Sequence, residues 1–175
     1  MYYKTTYSSP IGILTLASDG DKLVGLWIEG QKYHSNTITE EMIKKDDISI
    51  FISTKNWLDK YFSGEKPNIS ELPLAPIGGE FRQGVWSILR EIPYGEVITY
   101  GDIAKKMAVK MNKSRMSSRA VGGAVGHNPI SIIIPCHRVV GAGGSLTGYS
   151  AGVGTKIKLL ELEGADISAY GAPIF

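Results

Sequence analysis

Residues 132–140 read Ile132-Ile133-Ile134-Pro135-Cys136-His137-Arg138-Val139-Val140. An apolar, strand-like run stops at a proline, and a thiol, an imidazole and a guanidinium follow in consecutive positions. Thiols react as thiolates, and an adjacent imidazole or guanidinium is the kind of partner that lowers a thiol's pKa. A lone cysteine is more often an inert small core residue. Here Pro135, His137 and Arg138 turn the reading of Cys136 toward a nucleophile, expected to be ionisable and open to its substrate. Neighbouring side chains on an extended strand point opposite ways, so Cys136 and His137 need a turn or a bridging water to communicate. Pro135 and the following Gly141-Ala-Gly-Gly-Ser run make such a break expected. An imidazole base also needs a third group to orient it, and Glu161 and Glu163 are the downstream carboxylates available.

The rest of the chain narrows the possible chemistries. With 175 residues there is room for one large domain or two small ones around a buried core. A single cysteine excludes an internal disulfide and any multi-thiolate zinc site, and His34, His127 and His137 show no metal-ligand spacing. No metal and no cofactor are expected. The glycine-rich runs at 141–145 and 152–156 match neither a dinucleotide fingerprint nor a P-loop, because no Gly-Lys-Ser/Thr follows at the needed spacing. Met1-Tyr2-Tyr3-Lys4 has no signal-peptide pattern, and no apolar run is long enough to span a bilayer. The expectation is a soluble protein of a reducing compartment, cytoplasmic, or nuclear in a eukaryote, with no membrane partner.

Net charge is only +2, but it is unevenly spread. Residues 1–79 hold 8 Lys/Arg against 10 Asp/Glu, whereas residues 80–163 hold 11 against 6. Between Gly101 and Lys158 stand Lys105, Lys106, Lys110, Lys113, Arg115, Arg119, Arg138, Lys156 and Lys158, with Asp102 as the single acid. Such a run is either a solvated face or a phosphate-contacting surface.

Periodicity divides the chain in two. Residues 2–8, 11–18 and 22–29 read as strands, the last two joined by Asp19-Gly20-Asp21, a hairpin signal. Ile48, Phe51, Ile52, Leu58, Tyr61 and Phe62 follow a helical step that Gly64 closes. Residues 63–79, with Pro67, Pro73, Pro76, Gly78 and Gly79, read as a linker. Beyond it, Phe81, Val85, Ile88, Leu89 and Ile92 mark a helix stopped by Pro93. Thr99-Tyr100-Gly101-Asp102 has the form of a capping box, and Ser118 is the expected cap of a second short helix through Val125. These two helices suggest a helix-turn-helix. The glycines of the second cost it stability, which close approach to another backbone or a ligand would explain. Thr155 is the expected cap of a last helix that Gly164 ends. The fold class is α/β (α+β): a small N-terminal β-sheet domain with a helix, residues 1–79, then a mostly helical domain, residues 80–175.

Several motifs in order now carry a likeness. Ile134-Pro-Cys-His-Arg-Val-Val140, Arg119-Ala-Val-Gly-Gly-Ala124 with Asn128-Pro129, and Tyr94-Gly-Glu-Val-Ile-Thr-Tyr100 are joined by Thr147-Gly-Tyr-Ser150 and Leu159-Leu-Glu-Leu-Glu-Gly164. Over residues 80–164 the chain resembles the O6-alkylguanine-DNA alkyltransferases. The resemblance implies a monomer that repairs double-stranded DNA by moving the alkyl group of O6-alkylguanine, with O4-alkylthymine a second candidate lesion, irreversibly onto Cys136. It implies that the damaged base is rotated out of the duplex. His137 would take the thiol proton through a water, Glu163 would orient the imidazole, and Tyr100 would protonate the departing guanine. Asn128 would brace the active-site turn. Cys136 and Val139 backbone groups would read the guanine edge beside Pro135, the Ser150 N–H would bond O6, and Tyr149 would line the alkyl pocket. Arg119 would fill the gap left by the base, while Ala120, Gly122, Gly123 and Tyr100 meet the minor groove. Arg138 is read as a structural donor in preference to a thiolate stabiliser. The connection Met107 to Ser118 is longer and more basic than is usual in that family, and Ser131 and Ala151 stand where many relatives carry Pro and Gly. Two other readings use the same residues: a lesion binder that relies on the helix-turn-helix alone, and a cysteine hydrolase that regenerates its thiol.

Overall fold

The computed structural model describes residues 1–146 and 148–166. Thr147 of the Thr-Gly-Tyr-Ser motif, and residues 167–175 at the end of the second expected domain, lie outside the described residues. The chain forms two compact units. The first comprises Met1–Ile77 with Pro129–Ile133, and the second Gly78–Asn128 with the described chain from Ile134 onward.

In the first unit, strands β1 (Tyr2–Ser9), β2 (Gly12–Ser18), β3 (Leu23–Ile28) and β4 (Met42–Lys44) form one sheet in the order β3-β2-β1-β4. The pairs β1/β2 and β2/β3 are antiparallel, and β1/β4 is parallel. The Asp19-Gly20-Asp21 hairpin forms as expected. Asp19 Oδ1 accepts the Asp21 and Lys22 N–H groups at 3.0 and 2.8 Å, and Gly20 takes φ +109°. Helix α1 (Ser49–Phe62) buries Ile50, Phe51, Trp57, Leu58 and Tyr61 and ends at Gly64, with φ +91°. Ile52, grouped with the apolar face, instead points outward.

Every residue of β3 is buried, which suits a strand with further chain along its free edge. That chain includes part of the segment read as a linker. Leu23 N–H donates to Pro73 O and Ala75 N–H to Leu23 O, at 2.9 and 2.8 Å. The prolines there lack donors, but Pro73 offers a carbonyl and Ala75 an N–H, and these suffice for pairing. Pro129–Ile133 is held the same way: Leu26 N–H donates to Pro129 O and Ser131 N–H to Leu26 O. The apolar run before Pro135 is therefore not a strand. Ile132 adopts φ +72°, a conformation that β-branched residues rarely hold, and turns the chain sharply ahead of the proline.

The second unit holds α2 (Glu80–Leu89), β5 (Ile98–Thr99), α3 (Tyr100–Lys110), α4 (Ser118–Gly126), β6 (Val139–Val140) and α5 (Val153–Leu162), with β5 and β6 paired in parallel. Trp86 Nε1–H donates to Ala124 O at 2.9 Å and pins α2 to α4. The capping box of α3 forms: Thr99 Oγ1 accepts Asp102 N–H, and Asp102 Oδ2 accepts Thr99 N–H. Such a cap stabilises a helix by about 1 kcal/mol. Two other expected caps shift position. Ser117, not Ser118, caps α4, because its Oγ accepts the Ala120 N–H while Ser118 is already helical. Gly152, at φ +95°, precedes α5 and its carbonyl accepts Lys156 N–H, so Thr155 lies inside the helix. Gly164, at φ +74°, closes α5 as expected, with Ala165 N–H donating to Leu160 O at 3.0 Å.

Candidate active site

Pro135 ends the strained turn, and Cys136–Arg138 then coil into one turn of 3-10 helix. This is the break from extended chain that Cys136 and His137 require. The short β6 follows, held beside β5, and α5 returns so that Lys156 and Glu163 face the turn.

Glu163, not Glu161, is the carboxylate at the imidazole. His137 Nε2–H donates to Glu163 Oε2 at 2.6 Å, with both side chains fully buried. Arg138 Nε–H reaches Glu163 Oε1 at 2.7 Å and its NH2 group reaches Oε2 at 3.0 Å. The Gly95 N–H adds a bond to Oε1 at 3.2 Å. Arg138 NH1 donates to Ile92 O at 2.6 Å, and the guanidinium lies 5.7 Å from the centre of the Tyr94 ring. Arg138 is thus a structural donor, as read, and is directed at Glu163 and not at the thiol. Burial pulls the Glu163 carboxyl upward, but the hydrogen bonds and charges of His137 and Arg138 outweigh it and hold the group well below the usual carboxylate range. An ionised carboxylate only accepts, so the neutral imidazole must carry its proton on Nε2. Its Nδ1 is buried and meets no hydrogen-bonding partner among the described residues.

Cys136 is 3 % exposed, which corrects the expectation of an open thiol. Burial also pushes its pKa up, the reverse of the effect expected from His137 and Arg138. Opposing groups remain in place: the Asn128 amide, the charge of Lys156, the nearby Tyr149 hydroxyl and the backbone N–H of Cys136 all favour the thiolate. The surroundings of the sulfur are therefore polar. Asn128, at 3 % exposure, also donates from Nδ2 to Ile134 O at 2.8 Å, tying the turn to the end of α4.

Sequence reasoning missed Lys156, counting it with a basic surface. Its side chain is fully buried, and Nζ donates to the carbonyl of Val139. Burial lowers its pKa to about 8, with Cys136 pulling the other way. Arg138 is buried as well, so two of the nine cations in that run are interior. Of the backbone groups expected to read a guanine edge, the two carbonyls already have partners: Val139 O takes Lys156, and Cys136 O takes the Val139 N–H. Each keeps a second lone pair.

Tyr100 opens α3, and its hydroxyl donates to Gly148 O at 3.2 Å. Burial, then the proximity of Cys136, pushes its pKa up to about 12. With Thr99, Gly101, Ser118, Arg119, Gly122 and Ala142 it lines a cavity of about 400 Å³. Arg119, Ala120 and Gly123 are exposed at the start of α4, and Gly122 is half-buried. A Cβ on Gly122 would stand 3.9 Å from the Tyr100 ring, and one on Gly123 would meet nothing. No close packing among the described residues therefore demands these glycines. Tyr149 and Ser150 follow Gly148 in a half-buried segment between the 3-10 turn Ala142–Gly144 and α5.

Among the described residues, no group of three or more His, Cys, Asp or Glu side chains could hold a metal ion, and no helix is long and apolar enough to cross a membrane.

Comparison with known proteins places this geometry in context. Residues 80–165 match the family model described as the 6-O-methylguanine DNA methyltransferase DNA binding domain. Residues 2–76 match the ribonuclease-like domain of the same methyltransferases. A methylated-DNA–protein-cysteine methyltransferase of Haemophilus influenzae is 43 % identical over 161 residues, covering 92 % of this chain and 86 % of that protein. Its counterpart in Methanosarcina acetivorans is 42 % identical over 166 residues, covering 94 % and 99 %. The crystal structure of Mycobacterium tuberculosis OGT in complex with DNA superposes with a TM-score of 0.79 at 39 % identity, covering 97 % of this chain and 98 % of that one.

Proposed function

The chain belongs to the 6-O-methylguanine DNA methyltransferase family, and from that premise we propose how its own residues carry out the repair of alkylated DNA. The protein is a methylated-DNA–protein-cysteine methyltransferase that transfers the alkyl group from O6-alkylguanine in DNA to itself. The acceptor is Cys136. The observation that carries this assignment is the buried chain from Glu163 to His137, which leaves an imidazole lone pair on Nδ1 one residue from the only thiol.

His137 Nδ1 takes the thiol proton, through a water. The Cys136 sulfur then attacks the carbon on O6 in line, so that an S–C bond forms as the C–O6 bond breaks. The electron pair leaves on the guanine, which takes a proton from the Tyr100 hydroxyl. A pKa of about 12 keeps that phenol protonated until the leaving group needs it. Proton exchange with water afterwards returns His137 to neutrality and Tyr100 to the phenol. The thioether persists, so each molecule acts once. Asn128 holds the turn against α4 and bonds to the sulfur, Tyr149 borders the alkyl group, and Pro135 and Val139 wall the base.

Duplex DNA lies against the start of α4. Arg119 occupies the gap left by the extruded base, and the bare backbone at Ala120, Gly122 and Gly123 admits the minor groove. Exposed Lys110 at the end of α3, with Lys113 and Arg115 in the turn that leads to α4, contact phosphates. With Cys136 3 % exposed, entry of the base requires the segment from Gly148 to Gly152 to part from Tyr100. Both glycines already hold positive φ, +75° and +95°, and offer backbone freedom at each end of that segment.

The protein is active as a monomer. Titrating a fixed amount of O6-methylguanine duplex with protein tests the reading as a whole. Repaired duplex should plateau at one equivalent per protein molecule; continued turnover would point to a hydrolase, and tight binding without repair to a lesion binder.

A further inference from the structure

The proposed reaction names what His137 and Glu163 do but gives Arg138 no part beyond structure, although its guanidinium is buried against the same carboxylate. We propose that Arg138, assisted by the Gly95 N–H, is the positioning residue that fixes Glu163 and cancels its charge, so that His137 rests neutral with its proton on Nε2 and Nδ1 left as its basic nitrogen. This rests on the reading of His137 as the proton acceptor.

The geometry supports it in three ways. First, Arg138 binds Glu163 in a fork, Nε to Oε1 at 2.7 Å and NH2 to Oε2 at 3.0 Å, which fixes the plane of the carboxylate. Oε2 is then aimed at His137 Nε2, 2.6 Å away. Second, the other bonds of the guanidinium leave it little freedom: NH1 is held by Ile92 O at 2.6 Å, and the Tyr94 ring lies 5.7 Å away. Gly95 completes the clamp and must be glycine. Its φ is +81°, and a Cβ would come 3.0 Å from the Glu163 backbone oxygen. Third, the charges balance. A buried Glu163 carboxylate beside a neutral imidazole would be a lone interior anion, and it would draw a proton onto His137. With Arg138 paired to it, the trio is neutral at rest, and the imidazolium forms only when the thiolate forms.

The charged groups acting on His137 come from several elements: Arg138 from its own turn, Lys156 from α5, and Glu163 from the cap that ends α5. Burial is the largest influence pushing His137 below the usual imidazole range. Glu163 pulls it back, and Arg138 and Lys156 push it down again. Removing the Arg138 charge therefore raises the pH at which the imidazolium loses its proton. That proton must leave before His137 can accept another from the thiol. A residue that merely supported the fold would lower the rate and leave this pH unchanged.

The test is the pH dependence of Cys136 alkylation by a free O6-alkylguanine base, measured for wild type, Arg138→Lys and Arg138→Gln. Arg138→Gln should move the acid limb up by about one pH unit or more. Arg138→Lys keeps the charge but loses the fork, so it should slow the reaction with its limb near the wild-type position. Equal limbs in Arg138→Gln and wild type would overturn the proposal. Because Arg138→Gln removes a buried partner and puts folding at risk, NMR titration of His137 in the wild-type protein provides a second, independent reading. The proposal expects a neutral ring with the proton on Nε2 at pH 7; an imidazolium there would overturn it. Absence of alkyl transfer by wild type would contradict the repair reaction itself, while the NMR titration of His137, repeated in Arg138→Lys and Arg138→Gln, would still judge Arg138.

Discussion

His137 Nε2 stands 2.6 Å from Glu163 Oε2, and neither side chain is exposed. A neutral imidazole sealed against an ionised carboxylate has one allowed tautomer, and that tautomer directs its basic nitrogen away from the carboxylate. The proposed relay from Cys136 depends on this pairing.

Glu163→Gln tests it. An amide stabilises an imidazolium far less than a carboxylate does, so His137 becomes a poorer base and thiolate must form by loss of its proton to solvent. The alkylation rate should fall by about tenfold or more, and its rise with pH should move to higher pH. The change also strands the Arg138 charge, so stability should drop by about 3–5 kcal/mol. Stopped-flow alkylation across pH 5–10 checks the first expectation and urea unfolding the second. A pH profile superimposable on wild type would count against the relay.

Lys156 gives a prediction about stability. Its folded pKa of about 8 lies below the 10.5 of a free lysine, so the unfolded chain binds more protons between those values. Stability therefore rises with pH across that window. The contribution is full above pH 10.5 and is lost as pH falls through about 8. Wild type should gain stability relative to Lys156→Met between pH 7.5 and 9.5, by up to about 1.4 kcal/mol per pH unit. A difference between the two that stays constant with pH, measured by urea unfolding, would refute this.

The basic end of α3 and the turn that follows it should act through salt. Lys110, Lys113 and Arg115 are exposed. The triple alanine variant should bind duplex DNA more weakly at low salt. Its plot of log affinity against log salt should be shallower by about 0.9 for each phosphate that is no longer neutralised. Fluorescence anisotropy from 50 to 300 mM salt measures the slope, and an unchanged slope would show that the turn stays clear of the phosphates.

Arg119 should matter more for duplex than for free base. Extruding a base costs a few kcal/mol, and a side chain that fills the gap offsets part of that. Arg119→Ala should slow duplex repair more than reaction with a free O6-alkylguanine. Equal losses on both substrates would remove the gap-filling role.

How far these features could be read from the sequence follows from how local their causes are. The hairpin at Asp19-Gly20-Asp21, the capping box at Thr99 and the stop at Gly164 each depend on a few adjacent residues, and each formed as expected. Ser118 and Thr155 misled because a hydroxyl caps only the donor within reach; Ser117 was nearer the first free N–H groups of α4, and Gly152 turned the chain at α5. The Ile132–Ile134 run looked like a strand because branched residues favour strands. Its backbone instead follows the pairing of Leu26 with Pro129 and Ser131, residues about a hundred positions apart in sequence. At the site, the turn at Cys136 was foreseeable from Pro135. The burial of Lys156 and the fork of Arg138 onto Glu163 were not, because a charged residue's exposure depends on what the fold packs over it. The same holds for the burial of Cys136.

The most direct measurement is peptide mapping by mass spectrometry after incubation with O6-methylguanine duplex. A single methyl group should be found on the peptide carrying Cys136, with none elsewhere, and none should appear in Cys136→Ala. A repaired duplex alongside an unmodified Cys136 would contradict the account at its centre.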